Sequence, residues 1–69
     1  MQEIRDCNHR LACMGEARTG IIEFVEKHQR FRVVLPIGGS FTVERKGAIT
    51  TITRISKTAF RVESVPFAA

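Results

Sequence analysis

The chain contains no Trp and no Tyr, and only two Leu, two Cys and two Pro. Scarce Leu argues against a helical bundle, which leans on unbranched helix formers. Every Phe fits a core position, so without Trp or Tyr no exposed stacking residue is expected, and no RNP-type aromatic motif of a cold-shock or RRM domain is present. No apolar run approaches the roughly 18 residues of a membrane-spanning helix. A length of 69 residues leaves room for one small domain, 1–69. A nucleotide-binding α/β enzyme is excluded, because each βαβ unit takes about 30 residues. The first residues, Met1-Gln2-Glu3-Ile4-Arg5-Asp6, are charged and lack a signal peptide's apolar core. A cytoplasmic protein with no membrane contact is therefore expected, with residues 1–9 as a loosely ordered arm.

Ile, Val and Thr are abundant, at 19 residues together. Branched side chains suit a pleated surface, and five Phe supply bulk for a core. From residue 30 onward the pattern is strand after strand. Phe31, Val33 and Leu35 alternate with Arg32 and Val34, the period of a half-buried strand. Pro36-Ile37-Gly38-Gly39-Ser40 breaks it as a corner. Phe41-Thr42-Val43-Glu44-Arg45 alternates again, and Lys46-Gly47 is a hairpin signal. In residues 48–55, Ile49, Ile52 and Ile55 are spaced by three, so either both faces are covered or a bulge resets the alternation. Ser56-Lys57 is a further turn. Phe60 and Val62 then face one way, Arg61 and Glu63 the other. Upstream, residues 10–14 fit a short strand. Residues 20–29 fit either a strand or a helix, with branched content favouring the strand. The expected fold is all-β: an antiparallel meander of five or six strands curled into a small barrel or half-barrel.

The chemistry-bearing residues are few. Cys7, His9, Cys13 and His28 are the soft metal ligands, but five residues separate the two Cys. Zinc sites place a close Cys pair about two to four apart, so neither metal nor cofactor is expected. A Cys7–Cys13 disulfide is disfavoured in a reducing compartment. No carboxylate beyond Asp6 is placed to orient a Cys–His pair, and a chain this short has no walls for a substrate pocket. A non-enzymatic protein follows. Gly38-Gly39-Ser40 precedes a strand rather than a helix N-terminus, so it is a corner and not a phosphate loop.

Basic residues are the most informative feature. Eight Arg and three Lys set against seven acids give a net charge of +4. Arg30, Arg32, Arg45, Lys46, Arg54 and Arg61 are the candidate nucleic-acid contacts, if the sheet curls to bring them together. Interleaved Glu23, Glu26, Glu44 and Glu63 dilute that face, and cross-strand Arg–Glu pairing is the competing reading. A second function class is a protein-interaction or inhibitor module. It would act as a homo-oligomer or on a partner protein, through strand edges and an apolar patch around Ile37 and the tail Pro66-Phe67-Ala68-Ala69. A third, a zinc-stabilised domain, would carry metal and melt with chelator.

The stretch Leu35-Pro36-Ile37-Gly38-Gly39-Ser40-Phe41-Thr42-Val43-Glu44-Arg45-Lys46-Gly47 resembles segments of short uncharacterised proteins carried by mobile elements of gut Firmicutes. The resemblance rests on a strand–turn–strand pattern. It implies no activity or ligand, and it implies an accessory role acting on nucleic acid or on nucleic-acid enzymes.

Overall fold

The computed structural model describes residues 1–67, which form seven strands and no helix. The strands β1 (Gln2–Arg5), β2 (Leu11–Glu16), β3 (Ile21–Glu26) and β4 (Gln29–Val34) make a four-stranded sheet in chain order. A three-stranded sheet follows, with β5 (Ser40–Arg45), β6 (Ala48–Arg54) and β7 (Phe60–Pro66). Every pairing is antiparallel. The meander expected from the sequence is present, with seven strands instead of five or six and with no closed barrel among the described residues.

The additional strand is β1. Residues 1–9, expected as a loose arm, instead carry a strand paired along β2, with Ile4 only 2% exposed. One buried Ile anchors a segment too short and too charged to show a period. The turn after it is held by Asp6, whose carboxylate accepts from the N–H groups of Asn8 (2.8 Å) and Arg10 (3.0 Å). Such a local acceptor holds a turn without glycine.

The barrel stays open because β4 and β5 lie in different sheets. Residues 35–39 make the corner between them. Pro36 has no N–H to offer a ladder, and its carbonyl accepts from Gly39 N–H at 2.8 Å. Residues 20–29 are strand and turn, not helix. The register of β6 is regular on both sides, so no bulge is needed for its isoleucines. Ile52 points into the core, Ile49 lies half-buried on the outer face, and Ile55 is past the strand end.

The sheets face each other across Ile4, Cys13, Ile22, Leu35 and Ile52, with Phe24, Val33, Phe41, Val43 and Phe60 packed around them. Gly15 is what lets β2 sit close to the second sheet. A Cβ there would lie 2.9 Å from the Phe60 ring and 3.0 Å from Ile4. Among the described residues no helix is long and apolar enough to cross a membrane.

Meander topology sorts the connections to two ends. Turns 6–10, 27–28 and 46–47 share one end with Phe67, whose N–H donates to Gly47 O at 2.8 Å. Residues 17–20, 35–39 and 55–59 share the other. Contacts between the sheets keep the ends in step. Arg10 Nη1 donates to Lys46 O (3.3 Å) at the first, and Arg54 Nε donates to Ala17 O (2.9 Å) at the second.

Candidate functional site

The six basic residues singled out from the sequence do not form one face. Arg54 is 8% exposed and lies between the sheets. Its Nε donates to Ala17 O (2.9 Å), Nη1 to Leu35 O (3.0 Å) and Nη2 to Arg18 O (2.9 Å). A guanidinium held by three carbonyls is a fastener, and it presents little to a phosphate. Arg32 lies on the outer face of the four-stranded sheet and is bound to its cross-strand neighbour Glu23, with Nη2 2.6 Å from Oε2. Arg61 is on the outer face of the other sheet, toward the opposite end. These three leave the candidate set.

Arg30, Arg45 and Lys46 do come together, at the end that carries turns 6–10, 27–28 and 46–47. Two further cations join them, Arg10 from the first turn and Lys27 from the second. Arg45 points between the sheets and reaches across to Val25 O (3.2 Å). Among the described residues none of these five has a carboxylate within 4.0 Å. Of the acids at the same end, Asp6 is buried and occupied with backbone N–H groups, while Glu26 and Glu44 line a hollow with Arg45 without pairing to it.

The pairing pattern opens a cleft here. The β2–β3 ladder runs only through Met14–Glu23, Gly15–Ile22 and Glu16–Ile21. Beyond it β2 follows β1 past a bulge at Ile4/Arg5, while β3 stays with β4, so the two ribbons separate toward the basic end. The resulting cleft, about 490 Å³, has walls from Leu11 to Met14 and from Glu23 to Val25, with Arg30 and Arg45 at its rim. A second hollow of about 280 Å³, lined by Asp6, Arg10, Leu11, Arg45 and Lys46, shares Leu11 and Arg45 with it.

Two aromatic rings flank this end, although composition alone assigned every Phe to the core. Phe31 is 40% exposed and stacks on Phe24 at 5.0 Å between centroids, 13° from parallel. Phe67 is 48% exposed beside the Lys46-Gly47 turn. The sequence signal was present in both cases: a Phe directly after Arg30, and a Phe after the last strand.

The backbone is unusual at the same place. Among the described residues the only non-glycine positions with positive φ are His9 (65°), Lys27 (49°), His28 (67°) and Lys46 (48°). All four lie in the three turns of the basic end, and all four carry a basic side chain.

The soft ligands are dispersed. Cys7 is exposed, Cys13 is buried, and both are free thiols. Burial pushes the Cys13 thiol up to about 11, which keeps it protonated and unreactive near neutrality. Among the described residues no three His, Cys, Asp or Glu are grouped to hold a metal ion. The expected apolar patch is also divided. Ile37 sits in the corner at one end and Phe67 at the other, with the seven residues of β6 between them. Ala68 and Ala69 lie outside the described residues. No family model, curated protein or solved structure matches the chain.

Proposed function

We propose that the protein is a non-enzymatic, cytoplasmic nucleic-acid-binding module, and that the basic end is its binding surface. Arg10, Lys27, Arg30, Arg45 and Lys46 contact phosphates, and Phe31 and Phe67 offer stacking faces to unpaired bases. Arg suits phosphate because its planar fork donates two bonds at once. Positive charge beside exposed rings is the combination that favours single strands.

The observation that carries this reading is the placement of the left-handed residues. A side chain with a Cβ pays about 1 kcal/mol or more in that conformation, and Gly or Asn would relieve it. Four such residues cost about 4 kcal/mol, a large part of the roughly 3–10 kcal/mol of stability a domain this size has. Local strain of this kind concentrates at functional sites. Here it is confined to turns that present Lys and His at the end rich in unpaired cations.

The test is titration of fluorescent single-stranded and duplex oligonucleotides across a salt series. Five phosphate contacts on a single strand give a log–log slope of about −3.5. Replacing Arg10 and Lys46 by Ala should weaken binding by about tenfold or more at low salt and flatten the slope by about 0.7 per residue. Lys57→Ala, at the opposite end, should leave binding unchanged. No binding by the wild type at low salt, or equal loss in Lys57→Ala, sinks the proposal.

A further inference from the structure

We infer that two copies of this chain join through β7, in a single register centred on Val62, to make one continuous sheet. Sheet order ends at β7, so among the described residues no strand pairs with one side of it. The 6–10 turn meets β7 at a side chain on its inner face, where Cys7 N–H donates to Ser64 Oγ at 2.8 Å. Its hydrogen-bonding phase follows from two contacts. Ile55 N–H donates to Ala59 O at 3.2 Å and Phe67 N–H to Gly47 O at 2.8 Å, and both continue the β6–β7 register. In an antiparallel ladder alternate residues bond to opposite sides. Odd-numbered residues of β7 therefore bond to β6. Phe60, Val62 and Ser64 turn their N–H and C=O groups to the free edge, and among the described residues no partner meets them there.

Pairing β7 with itself about Val62 uses these groups without a misfit. Val62 meets Val62 of the second copy and exchanges both bonds with it. Phe60 meets Ser64, which has the same phase. On the outer face Arg61 then lies directly opposite Glu63 of the second copy, and Glu63 opposite its Arg61. Neither residue has an ion-pair partner within its own chain among the described residues. Directly opposed unlike charges stabilise an antiparallel pair and like charges destabilise it. Shifting the centre by one residue sets Arg61 against Arg61, or Glu63 against Glu63. The charges thus select one register from its neighbours. On the inner face Val62, 39% exposed in the single chain, gains an apolar neighbour.

No other edge offers this. The free side of β4 has Arg32 near its middle, and self-pairing there opposes like charges. A pair of β5 strands centred on Thr42 faces Glu44 with Ser40, which adds no attraction. β1 has four residues. Charges at a sheet edge ordinarily deter association. On β7 they alternate in sign about a centre, which reverses their effect for an identical strand in the opposite direction.

The experiment is sedimentation equilibrium of three proteins: wild type, Arg61→Glu and Glu63→Arg. The substituted residues are exposed, and circular dichroism checks that each variant keeps its fold. Wild type should be a dimer. Each single variant should dissociate with a constant raised about tenfold or more, because both cross-copy pairs become repulsive. An equimolar mixture of the two variants should recover a heterodimer, since one supplies two acids where the other supplies two arginines. A monomeric wild type overturns the inference. So does a dimer that persists in both variants, or a mixture that stays monomeric. Oligonucleotide binding by the basic end is read separately and does not decide the outcome.

Discussion

Arg54 is buried, and among the described residues no carboxylate pairs with it. The carbonyl oxygens of Ala17, Arg18 and Leu35 take the place of a counter-ion, and the same three bonds fix the 17–20 turn against the end of β4. Arg54→Met would keep much of the stem's volume and leave those acceptors unpaired. The expected loss is about 3 kcal/mol, read from the urea midpoint. Arg54→Lys should recover only part of it, because an ammonium point charge cannot span three carbonyls in one plane. Gly20 depends on the same arrangement, since at φ 82° a Cβ would press on Leu35 O and lie 2.9 Å from Arg54 Nη1. The two thiols should separate by chemistry. Cys7 is exposed and Cys13 is not, so at pH 8 the folded protein should take up one equivalent of a thiol reagent, and a second only on unfolding. The Cys13 thiol is raised from 9.0 to about 11 in the folded protein. The unfolded chain therefore loses that proton first. Stability from this group is intact below pH 9 and declines as pH rises toward 11. A pH series of urea melts checks the sign.

At the scale of elements, the turns explain most of what the sequence did and did not disclose. Lys46-Gly47 was legible because Gly relieves positive φ at the second turn position. Lys27-His28 makes the same two-residue connection with φ of 49° and 67°, yet contains neither Gly nor Asn, so nothing local announced it. His28→Gly should raise stability by about 1 kcal/mol in urea denaturation, while oligonucleotide affinity stays level or falls. The strands Phe31 to Leu35 and Phe41 to Arg45 were legible through their strict alternation. β1 was hidden because a four-residue strand with one buried side chain has no period to detect. The candidate site was legible in part. Arg45 and Lys46 stand at a hairpin tip that Lys46-Gly47 marks, and Arg30 lies near the start of a strand whose alternation was legible. Arg10 and Lys27 join them only because the meander returns three turns to one end, which is a property of topology. The burial of Arg54 was hidden for the opposite reason: an Arg at a strand end is ordinarily solvated, and its acceptors lie 19 to 37 residues away in the chain.

For the molecule as a whole, a net charge of +4 understates its asymmetry. Five of the eight cations without an ion-pair partner among the described residues crowd one end of a particle measuring 34 × 25 × 16 Å. At the other end Arg54 is enclosed, and Arg18 Nη2 lies 3.9 Å from Glu16 Oε1. Such a pole steers polyanions by a field that reaches about 10 Å at 0.1 M salt. Association rate should therefore fall with salt more steeply than dissociation rate rises, which stopped-flow mixing with an oligonucleotide would read. The three carbonyl contacts of Arg54 carry a kinetic consequence as well. Hairpins form from neighbours in sequence, and loop closure over longer separations comes later in folding. A clasp between a strand of one sheet and turns of the other closes only after both sheets exist. Removing it should leave refolding near its wild-type speed and shift almost the whole effect to unfolding. Arg54 is thus a determinant of how long the native state survives once formed.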